Sequence, residues 1–279
     1  IYCQGRLGPG KFNELLLRDI PHLFRKFAWF FSENAFLERK RRKYKTYKIH
    51  RIMSDSKIKK IGVLTSGGDA PGMNAAIRAV ARTCATYGIE CVGIEQGYKG
   101  LLEKDFIELS PRDVGNIINR GGSFLRSARG KEFKDPQVRL QAARNAREAG
   151  IDALVIIGGD GSFTGALKLQ KETGIRVMGI PGTIDNDIYG SDFSIGFDTA
   201  INTAMEAIDK IRDTAASHDR IFFVEVMGHG SGYIAVYTGI ATGVEQIIMP
   251  PKKDKENHSI IPDGEELYEE IVKDLHEAE

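Results

Sequence analysis

The stretch ALVIIGGDGS, residues 153–162, decides the fold because it joins an apolar run to a glycine-rich turn. Its first five residues are continuously apolar, which is typical of a strand buried on both faces of a sheet. Apolar residues at helical spacing follow over 163–172. A strand, a glycine turn and a helix in this order predict one unit of an α/β protein.

The same alternation continues on both sides of this stretch. The predicted strands are 61–64, 90–94, 153–157, 176–180, 221–226 and 245–249. The predicted helices are 73–87, 111–120, 136–149 (ending at Gly150), 163–172, 198–216, 231–242 and 263–276. The pattern predicts doubly wound parallel sheets with helices on both faces. Ligands of such sheets bind beyond the carboxyl ends of the strands, where the turns 65–72, 158–162 and 181–187 fall.

Composition excludes several classes of protein. The chain has 279 residues, of which 42% are hydrophobic and 28% are charged, as in ordinary globular proteins. It has no run of about 20 apolar residues that would predict a membrane span, and no apolar signal segment at the N-terminus. Its 3 cysteines show no CxxC spacing, so neither a disulfide framework nor a zinc site is indicated. The cytoplasm is the expected location.

The first 53 residues differ from the rest. They hold 13 Lys+Arg and 4 Asp+Glu, a charge of +9, whereas residues 54–279 hold 26 and 34, a charge of −8, so the net charge of +1 hides a basic segment. This segment also has an aromatic cluster, and such a pattern can bind nucleic acid or an anionic membrane. However, no Met precedes Met53, and regular patterning begins only at Lys59. We therefore interpret residues 1–52 as translated upstream sequence that is not part of the fold, and we expect neither a nucleic acid nor a membrane as a partner.

Two glycine-rich turns suggest a phosphate ligand. In VLTSGGDAPGMN, residues 63–74, adjacent glycines allow close approach of the backbone, and the following helix offers free N–H groups to an anion. The turn 158–162 adds Asp160, whose carboxylate would repel a phosphate unless Mg²⁺ lay between them. The alternatives are an ordinary strand-to-helix connection for the first turn and a helix N-cap for Asp160. Neither turn matches the Walker A or GxGxxG spacing.

The third turn, TIDND at 183–187, places two carboxylates two residues apart. If the segment is extended, Thr183, Asp185 and Asp187 share a face. One carboxylate could then accept a hydroxyl proton while the other meets a metal, as phosphoryl transfer requires. An acidic turn without a catalytic role is the alternative.

Arginines could supply positive charge to this edge. Arg120, Arg126 and Arg129 lie close to the Gly121-Gly122 turn, and Arg220 begins a predicted strand. Guanidinium groups suit phosphates, although each arginine alone is an ordinary surface charge.

Taken together, VLTSGGDAPGMNAAIR, INRGGSFLRSAR, VIIGGDGS, PGTIDND and RIFFVEVMGHGSGYIA resemble the ATP-dependent 6-phosphofructokinase family in their order and spacing, from about Lys59 to Glu279. The resemblance implies phosphoryl transfer from Mg-ATP to the 1-hydroxyl of fructose 6-phosphate, the committed step of glycolysis. It also implies an allosterically regulated homotetramer. It further implies two Rossmann-like domains: an ATP-binding domain at 53–196 and a substrate-binding domain, incomplete at the C-terminus, at 197–279.

The resemblance also assigns site residues. The implied ATP site comprises Gly68, Arg129, Gly130, Gly159, Asp160, Gly161 and Ser162, with Asp160 also at the Mg²⁺ ion. Asp185 is the implied general base, flanked by the catalytic residues Thr183 and Asp187. The implied sugar-phosphate site comprises Thr183, Ile184, Asp185, Arg220, Met227, Gly228 and His229. The implied nucleotide effector site comprises Arg78, Arg82, Arg212, Gly243, Val244 and Glu245.

Three further positions bear on the alternatives. Pyrophosphate users of the family tend to carry Asp where this chain has Gly161 and Lys where it has Gly182, so ATP is favoured over the alternative donor, pyrophosphate. His229 stands where many members have Arg. A lipid or NAD kinase, which also uses a GGDG turn, is disfavoured by PGTIDND and VEVMG.

The end of the chain also bears on activity. The sequence ends at Glu279, inside the second predicted domain. We therefore expect this chain by itself to be poorly soluble and inactive. A non-catalytic nucleotide-binding fragment is the remaining alternative.

Overall fold

A computed structural model describes residues 2–4, 58–128, 130–218 and 220–249. The chain divides into a larger unit, residues 1–6 and 58–279, and a smaller unit, residues 7–57. The smaller unit lies outside the described residues, as do Arg129 and the helix predicted at 263–276. Of the predicted extension 1–52, only residues 2–4 are described, and they form a short strand.

Eight strands and six α-helices make up the described part of the chain. The strands are β1 (Tyr2–Gln4), β2 (Lys60–Ser66), β3 (Glu90–Ile94), β4 (Phe106–Glu108), β5 (Ala153–Gly158), β6 (Arg176–Thr183), β7 (Ile195–Gly196) and β8 (Ile221–Phe223). The helices are α1 (Met73–Thr86), α2 (Tyr98–Glu103), α3 (Pro136–Glu148), α4 (Asp160–Thr173), α5 (Phe197–His218) and α6 (Tyr233–Thr242), with a 3-10 helix at Lys131–Lys134.

The principal sheet has six strands in the order β4-β3-β2-β5-β6-β7. All neighbours are parallel except β4, which runs antiparallel to β3. Ser66 at the end of β2 pairs with Gly158 of β5, and Gly158 pairs with Pro181 of β6. The carboxyl ends of these three strands therefore lie side by side at one edge of the sheet.

Helices cover both faces of this sheet, which confirms the predicted α/β architecture. Leu64 and Ile156 point to one face, where they pack with α3 and α4, while Val63 and Ile157 point to the other, where they pack with α1. All four are completely buried. Burial of each such side chain stabilises the fold by about 1.5–3 kcal/mol, so the strands that carry the turns are firmly held.

The chain beyond the sheet begins with the long helix α5. Its buried Phe197 and Ile201 pack against Ile234 of α6, and its buried Ile208 packs against Ala235 of α6. The strand β8 pairs antiparallel with β1 over three residues. None of the described helices combines the length and apolar composition needed to cross a membrane.

Several sequence predictions differ from the structure. Residues 111–120 form turns rather than a helix, because Asn116 adopts a left-handed φ of 56° and the Asp113 carboxylate accepts a hydrogen bond from Ser110 N at 2.7 Å. The strand predicted at 221–226 stops at Phe223, where its pairing with β1 ends. Residues 245–249 form no strand beyond an isolated bridge at Gln246. The short α2 and β4 were not predicted.

Candidate active site

The turns that follow β2, β5 and β6 meet at the carboxyl edge of the sheet. A Cβ atom placed on Gly159, in the turn after β5, would lie 3.6 Å from the Thr183 Cβ at the end of β6. The predicted phosphate turn and the predicted acidic turn therefore lie close together, separated by little more than the width of one methyl group. This edge brings together residues that are more than 90 positions apart in the chain.

Ser162 ties the turn after β5 to the end of β2. Its hydroxyl donates a hydrogen bond to Ser66 O at 3.0 Å, and the residue is buried. This contact requires glycine at 158, because a Cβ there would lie 2.5 Å from Ser66 O and 2.8 Å from Ser162 Oγ. Ser162 is predicted to bind a nucleotide. Its hydroxyl forms a hydrogen bond within the fold, and its backbone N–H, in the first turn of α4, donates to Gly159 O at 3.1 Å.

Tyr98, at the start of α2, supports the same helix terminus. Its hydroxyl donates to Ser162 O at 2.6 Å, and its ring stacks on Phe133 with centroids 3.9 Å apart. Burial raises the pKa of Tyr98. The Arg139 guanidinium donates a hydrogen bond to Phe133 O at 2.7 Å and so holds Phe133 in place. The same guanidinium forms an ion pair with Glu172 through two hydrogen bonds. Sequence reasoning did not identify Tyr98 or Arg139.

The turn after β2 is open where a ligand would approach. Gly68 is exposed, and a Cβ placed there would have no atom within 4 Å. By contrast, Gly72 has a left-handed φ of 87° and caps α1, and a Cβ there would lie 2.6 Å from Ile195 Cγ2. Gly72 therefore shapes the turn, and Gly68 leaves room beside it.

Side chains at the end of β2 and in α1 position the segment that carries Arg126. Thr65 Oγ1 donates to Arg126 O at 2.5 Å, and Ser127 Oγ donates to Gly67 O at 2.6 Å. Asn74, which is buried, accepts a hydrogen bond from Phe124 N at 2.6 Å. Arg126 is exposed and has a left-handed φ of 58°. Arg129 lies outside the described residues, but Gly130 packs against the Tyr98 and Phe133 pair.

Asp160 is the first residue of α4, and the N-cap is Gly159. The alternative that Asp160 is the N-cap is therefore wrong. Its carboxylate is exposed, and within the described part of the chain it has no hydrogen-bond or ion-pair partner. The N-terminus of a helix binds anionic ligands. A carboxylate beside that terminus can hold a cation that also contacts the bound anion. Gly161 follows it, and a Cβ there would meet open space.

The described residues contain no group of three or more His, Cys, Asp or Glu side chains arranged to bind a metal ion by themselves. Mg²⁺ commonly has one or two carboxylate ligands and takes its other ligands from water and phosphate oxygens. Asp160 and the carboxylates of the acidic turn fit that donor set. The residues present therefore fit Mg²⁺ held jointly with a bound phosphate.

The acidic turn bends instead of continuing β6. The chain bends at Ile184 and Asp185, and Asn186 has a left-handed φ of 52°. The prediction that Thr183, Asp185 and Asp187 share the face of an extended segment is therefore wrong. Thr183 Oγ1 instead accepts a hydrogen bond from Asp185 N at 3.2 Å. The bend is favoured because the Asn186 side chain accepts a hydrogen bond from Ser194 N at 2.8 Å.

Asp185 has the electrostatics of a proton acceptor. It is half-buried, and this desolvation raises the pKa of its carboxyl, as does the negative charge of Asp187. His229 and the Thr183 hydroxyl act in the opposite direction. Asp187 itself is exposed. A carboxylate with a raised pKa accepts a proton more readily than an ordinary surface aspartate.

A second turn, residues 227–230, lies next to the acidic turn. Ser231 Oγ is 2.7 Å from Asp185 O and 2.8 Å from Gly228 O, so one side chain contacts both turns. Met227 is 78% exposed, and His229 is exposed with a left-handed φ of 55°. A cavity of about 380 Å³ is lined by both residues and by Glu225. Arg220 is exposed, with its backbone N–H bonded to Ala215 O at 3.4 Å.

The predicted effector residues fall into two groups. Arg212 Nη1 donates to Thr242 O and lies beside Gly243, which caps α6 with a φ of 64°. The neighbouring Val244 is half-buried, and Glu245 is exposed. Arg78 and Arg82 lie on α1, where Arg78 Nη1 donates to Val114 O at 2.8 Å.

Comparison with known proteins agrees with this geometry. A family model described as "Phosphofructokinase" matches residues 60–274. The chain is 58% identical over 193 residues to ATP-dependent 6-phosphofructokinase 1 of Thermus thermophilus. This match covers 69% of this chain and 60% of that protein. The chain thus spans about 60% of the length of the curated relatives it matches.

Solved structures give the same result. The chain superimposes on Pichia pastoris phosphofructokinase in the T-state with a TM-score of 0.66 and 42% identity, covering 72% of this chain and 23% of that one. A pyrophosphate-dependent phosphofructokinase from Marinobacter aquaeolei matches with a TM-score of 0.55 and 25% identity, covering 66% of this chain and 50% of that one.

Proposed function

Because the chain belongs to the phosphofructokinase family, we propose that it carries the ATP-binding and base-bearing part of an ATP-dependent 6-phosphofructokinase. That enzyme transfers the terminal phosphoryl group of ATP to the 1-hydroxyl of fructose 6-phosphate, in the committed step of glycolysis. One juxtaposition carries the proposal: Gly159, in the phosphate turn, lies so close to Thr183 that a Cβ on Gly159 would be 3.6 Å from the Thr183 Cβ. Thr183 stands two residues before the proposed base Asp185. A donor phosphate and an acceptor hydroxyl would meet at this place.

Each turn then has a role in the transfer. The open Gly68 turn and the backbone N–H groups at the start of α4 bind the phosphates of ATP, joined by Arg129 and Gly130. Asp160 would hold Mg²⁺ together with those phosphates, and the ion would neutralise their charge when bound. Asp185 accepts the proton of the sugar 1-hydroxyl, so that the hydroxyl oxygen of the sugar can attack the terminal phosphorus of ATP. Thr183 orients Asp185 through its backbone N–H.

The remaining predicted residues bind the sugar phosphate. Met227, Gly228 and His229 form one wall of the 380 Å³ cavity, and Ser231 links their turn to that of the base through Asp185 O. His229 stands where many relatives have Arg, and its imidazole N–H would donate a hydrogen bond to the sugar phosphate. Arg220 is exposed, as it must be if it reaches the substrate of a neighbouring subunit.

The glycines at 161 and 182 support ATP as the donor. A Cβ on Gly182 would lie 2.9 Å from Ile157 Cγ2, so a lysine there would have to displace a core residue. Gly161 leaves open space beside Asp160, where a second carboxylate would repel the nucleotide phosphates. The relatives named as ATP-dependent reach 58% identity, whereas the pyrophosphate-dependent structure reaches 25%.

Regulation and assembly belong to the same proposal. Arg212, Gly243, Val244 and Glu245, with Arg78 and Arg82 of another subunit, would bind a nucleotide effector in a homotetramer. The proximity of Arg212 to Gly243 supports half of this site. The cytoplasm is the proposed location. Native mass spectrometry with and without ADP tests the assembly, since a tetramer that binds one nucleotide per effector site is expected.

The test of the activity is ADP formation that depends on fructose 6-phosphate, by the protein isolated at the length at which its own cells make it. Turnover with ATP but not with pyrophosphate would support the proposal. Turnover with pyrophosphate alone would favour the alternative donor. Binding of Mg-ATP without any turnover would favour the non-catalytic nucleotide-binding reading.

Replacement of Asp160 by asparagine is expected to weaken ATP binding by at least about 10-fold when Mg²⁺ is present. The reason is that the exposed carboxylate contributes through the ion, and the amide is a poorer Mg²⁺ ligand. Isothermal titration calorimetry should show no such weakening in EDTA. The control is Asp209→Asn on the exposed side of α5. Equal weakening with and without Mg²⁺ would contradict this role.

Replacement of Asp187 by asparagine is expected to move the acid limb of the kcat profile to lower pH. The negative charge of Asp187 raises the pKa of Asp185, so its removal lowers that pKa and keeps the base ionised in more acidic solution. Desolvation, the larger cause, remains in the variant. The measurement is kcat against pH at saturating substrates. A limb that stays in place or moves to higher pH would argue against Asp185 as the titrating group.

A further inference from the structure

We propose that Ser231 is a positioning residue, whose hydroxyl holds the turn of Asp185 against the turn of His229. This inference rests on the proposed function, because Asp185 is the proposed base. Nothing in the sequence pattern assigns a role to Ser231, which lies between two glycines before α6.

The contacts of the Ser231 hydroxyl point in two directions. Its oxygen is 2.7 Å from Asp185 O and 2.8 Å from Gly228 O, and both carbonyls can only accept its single proton. The hydroxyl therefore donates to a carbonyl 46 residues earlier in the chain and to one at the start of its own turn. Because they share this proton, the carbonyls of Asp185 and Gly228 both stay close to Ser231 Oγ.

The contact completes the restraint of the proposed base. On its N-terminal side, the Asp185 N–H donates to Thr183 Oγ1 at 3.2 Å. On its C-terminal side, the Asp185 carbonyl accepts from Ser231. The two peptide groups that flank the Asp185 Cα are thus each held by a hydroxyl, which restrains the backbone from which the carboxylate extends.

The other turn depends on the same hydroxyl. Gly228, His229 and Gly232 all have positive φ angles, of 130°, 55° and 69°, so the turn is tightly wound. Its backbone is closed by Ser231 N, which donates to Gly228 O at 3.0 Å. Because His229 lies in this turn, Ser231 also sets how close the histidine comes to Asp185.

Loss of this hydroxyl should leave the fold intact. The helix that follows is anchored by Ile234 and Ala235, which are buried against α5. One neutral hydrogen bond contributes about 0.5–1.5 kcal/mol to stability, which is small beside the burial of those side chains. Displacement of a reacting group by about 1 Å, however, can lower a rate by about 100-fold.

The test is Ser231→Ala, compared with Ser231→Thr and with Thr203→Ala. Thr203 Oγ1 donates to Thr199 O at 2.9 Å within α5, so this variant also removes a hydroxyl bound to a carbonyl. We expect Ser231→Ala to lower kcat by about 10- to 100-fold with little change in the KM for ATP. Ser231→Thr keeps the hydroxyl and should restore most of the rate, and Thr203→Ala should match the unchanged protein.

A second measurement does not depend on turnover. The Asp185 N–H donates to Thr183 Oγ1 at 3.2 Å, and the Ser231 N–H donates to Gly228 O at 3.0 Å. Amide hydrogen exchange in the absence of substrate reports how firmly both turns are held. We expect faster exchange of the Asp185 and Ser231 amides in Ser231→Ala than in Ser231→Thr or Thr203→Ala.

The outcomes separate this inference from the proposed function. Unchanged exchange of the Asp185 amide in Ser231→Ala, or a rate loss that threonine does not restore, would overturn the positioning role. If Asp185→Asn abolishes turnover while Ser231→Ala does not lower it, only the positioning role fails. If the protein shows no turnover, the proposed function fails, and amide exchange still decides whether Ser231 holds the two turns together.

Discussion

Replacement of Asp185 by asparagine is expected to lower kcat by about 10²- to 10⁴-fold, which is the usual contribution of a general base. The amide keeps the size and most hydrogen bonds of the carboxylate but cannot accept the proton of the sugar hydroxyl. Steady-state assays at saturating ATP and fructose 6-phosphate measure the loss.

The same variant should leave ATP binding nearly unchanged, because the phosphate turn is formed by residues of β2, β5 and α4. Calorimetry with Mg-ATP therefore separates a lost base from a damaged site. The matched control is Asp209→Asn, which removes an exposed carboxylate from α5. A variant at Asp185 that kept its full kcat would refute the assignment of the base.

Replacement of Gly158 by alanine is expected to lower the free energy of unfolding by about 2–4 kcal/mol and to weaken Mg-ATP binding. The added methyl group would lie 2.5 Å from Ser66 O and 2.8 Å from Ser162 Oγ, so β2 and α4 must move apart. Overpacking of this kind costs about 1–3 kcal/mol, and the loss of the Ser162 hydrogen bond adds about 0.5–1.5 kcal/mol. Urea denaturation measures the change in stability.

Gly161→Ala is the matched control for this prediction. It adds the same methyl group three residues away, where no atom lies within 4 Å. Its stability should be unchanged or slightly higher, because alanine is a better helix former than glycine. Equal stability of the two variants would mean that the close contact at Gly158 is not a constraint on the fold.

The sequence was most informative where one local pattern has one structural solution. The continuous apolar run 153–157 and the glycines after it predicted both β5 and the turn that opens α4. The alternation of strands and helices also predicted that ligands bind beyond the carboxyl ends of the strands, and Asp160 and Asp185 lie there.

The sequence was less informative where the spacing of apolar residues is compatible with several structures. Apolar residues at 114, 117 and 118 have helical spacing, but Asn116 turns the chain between them.

The residues that sequence reasoning missed act over long separations. Tyr98 contacts Ser162 across 64 residues, and Ser231 contacts Asp185 across 46. A single serine or tyrosine carries no local signal for such a contact, because the partner is a backbone carbonyl of any residue type. The bend at Asp185 was missed for a related reason, since it depends on the contact of Asn186 with Ser194.

The central position of β2 has a consequence for the order in which the protein folds during synthesis. β2 pairs with β3, which follows it closely, and with β5, about 90 residues later. The Asp152 carboxylate, just before β5, accepts hydrogen bonds from Lys59 N and Lys60 N at 2.6 and 3.0 Å. The unit formed by β2, α1 and β3 can therefore form early on the ribosome, while the other edge of β2 remains exposed until β5 emerges. Chaperone binding to nascent chains should consequently fall once the codons for β5 and α4 have been translated and their residues have left the exit tunnel.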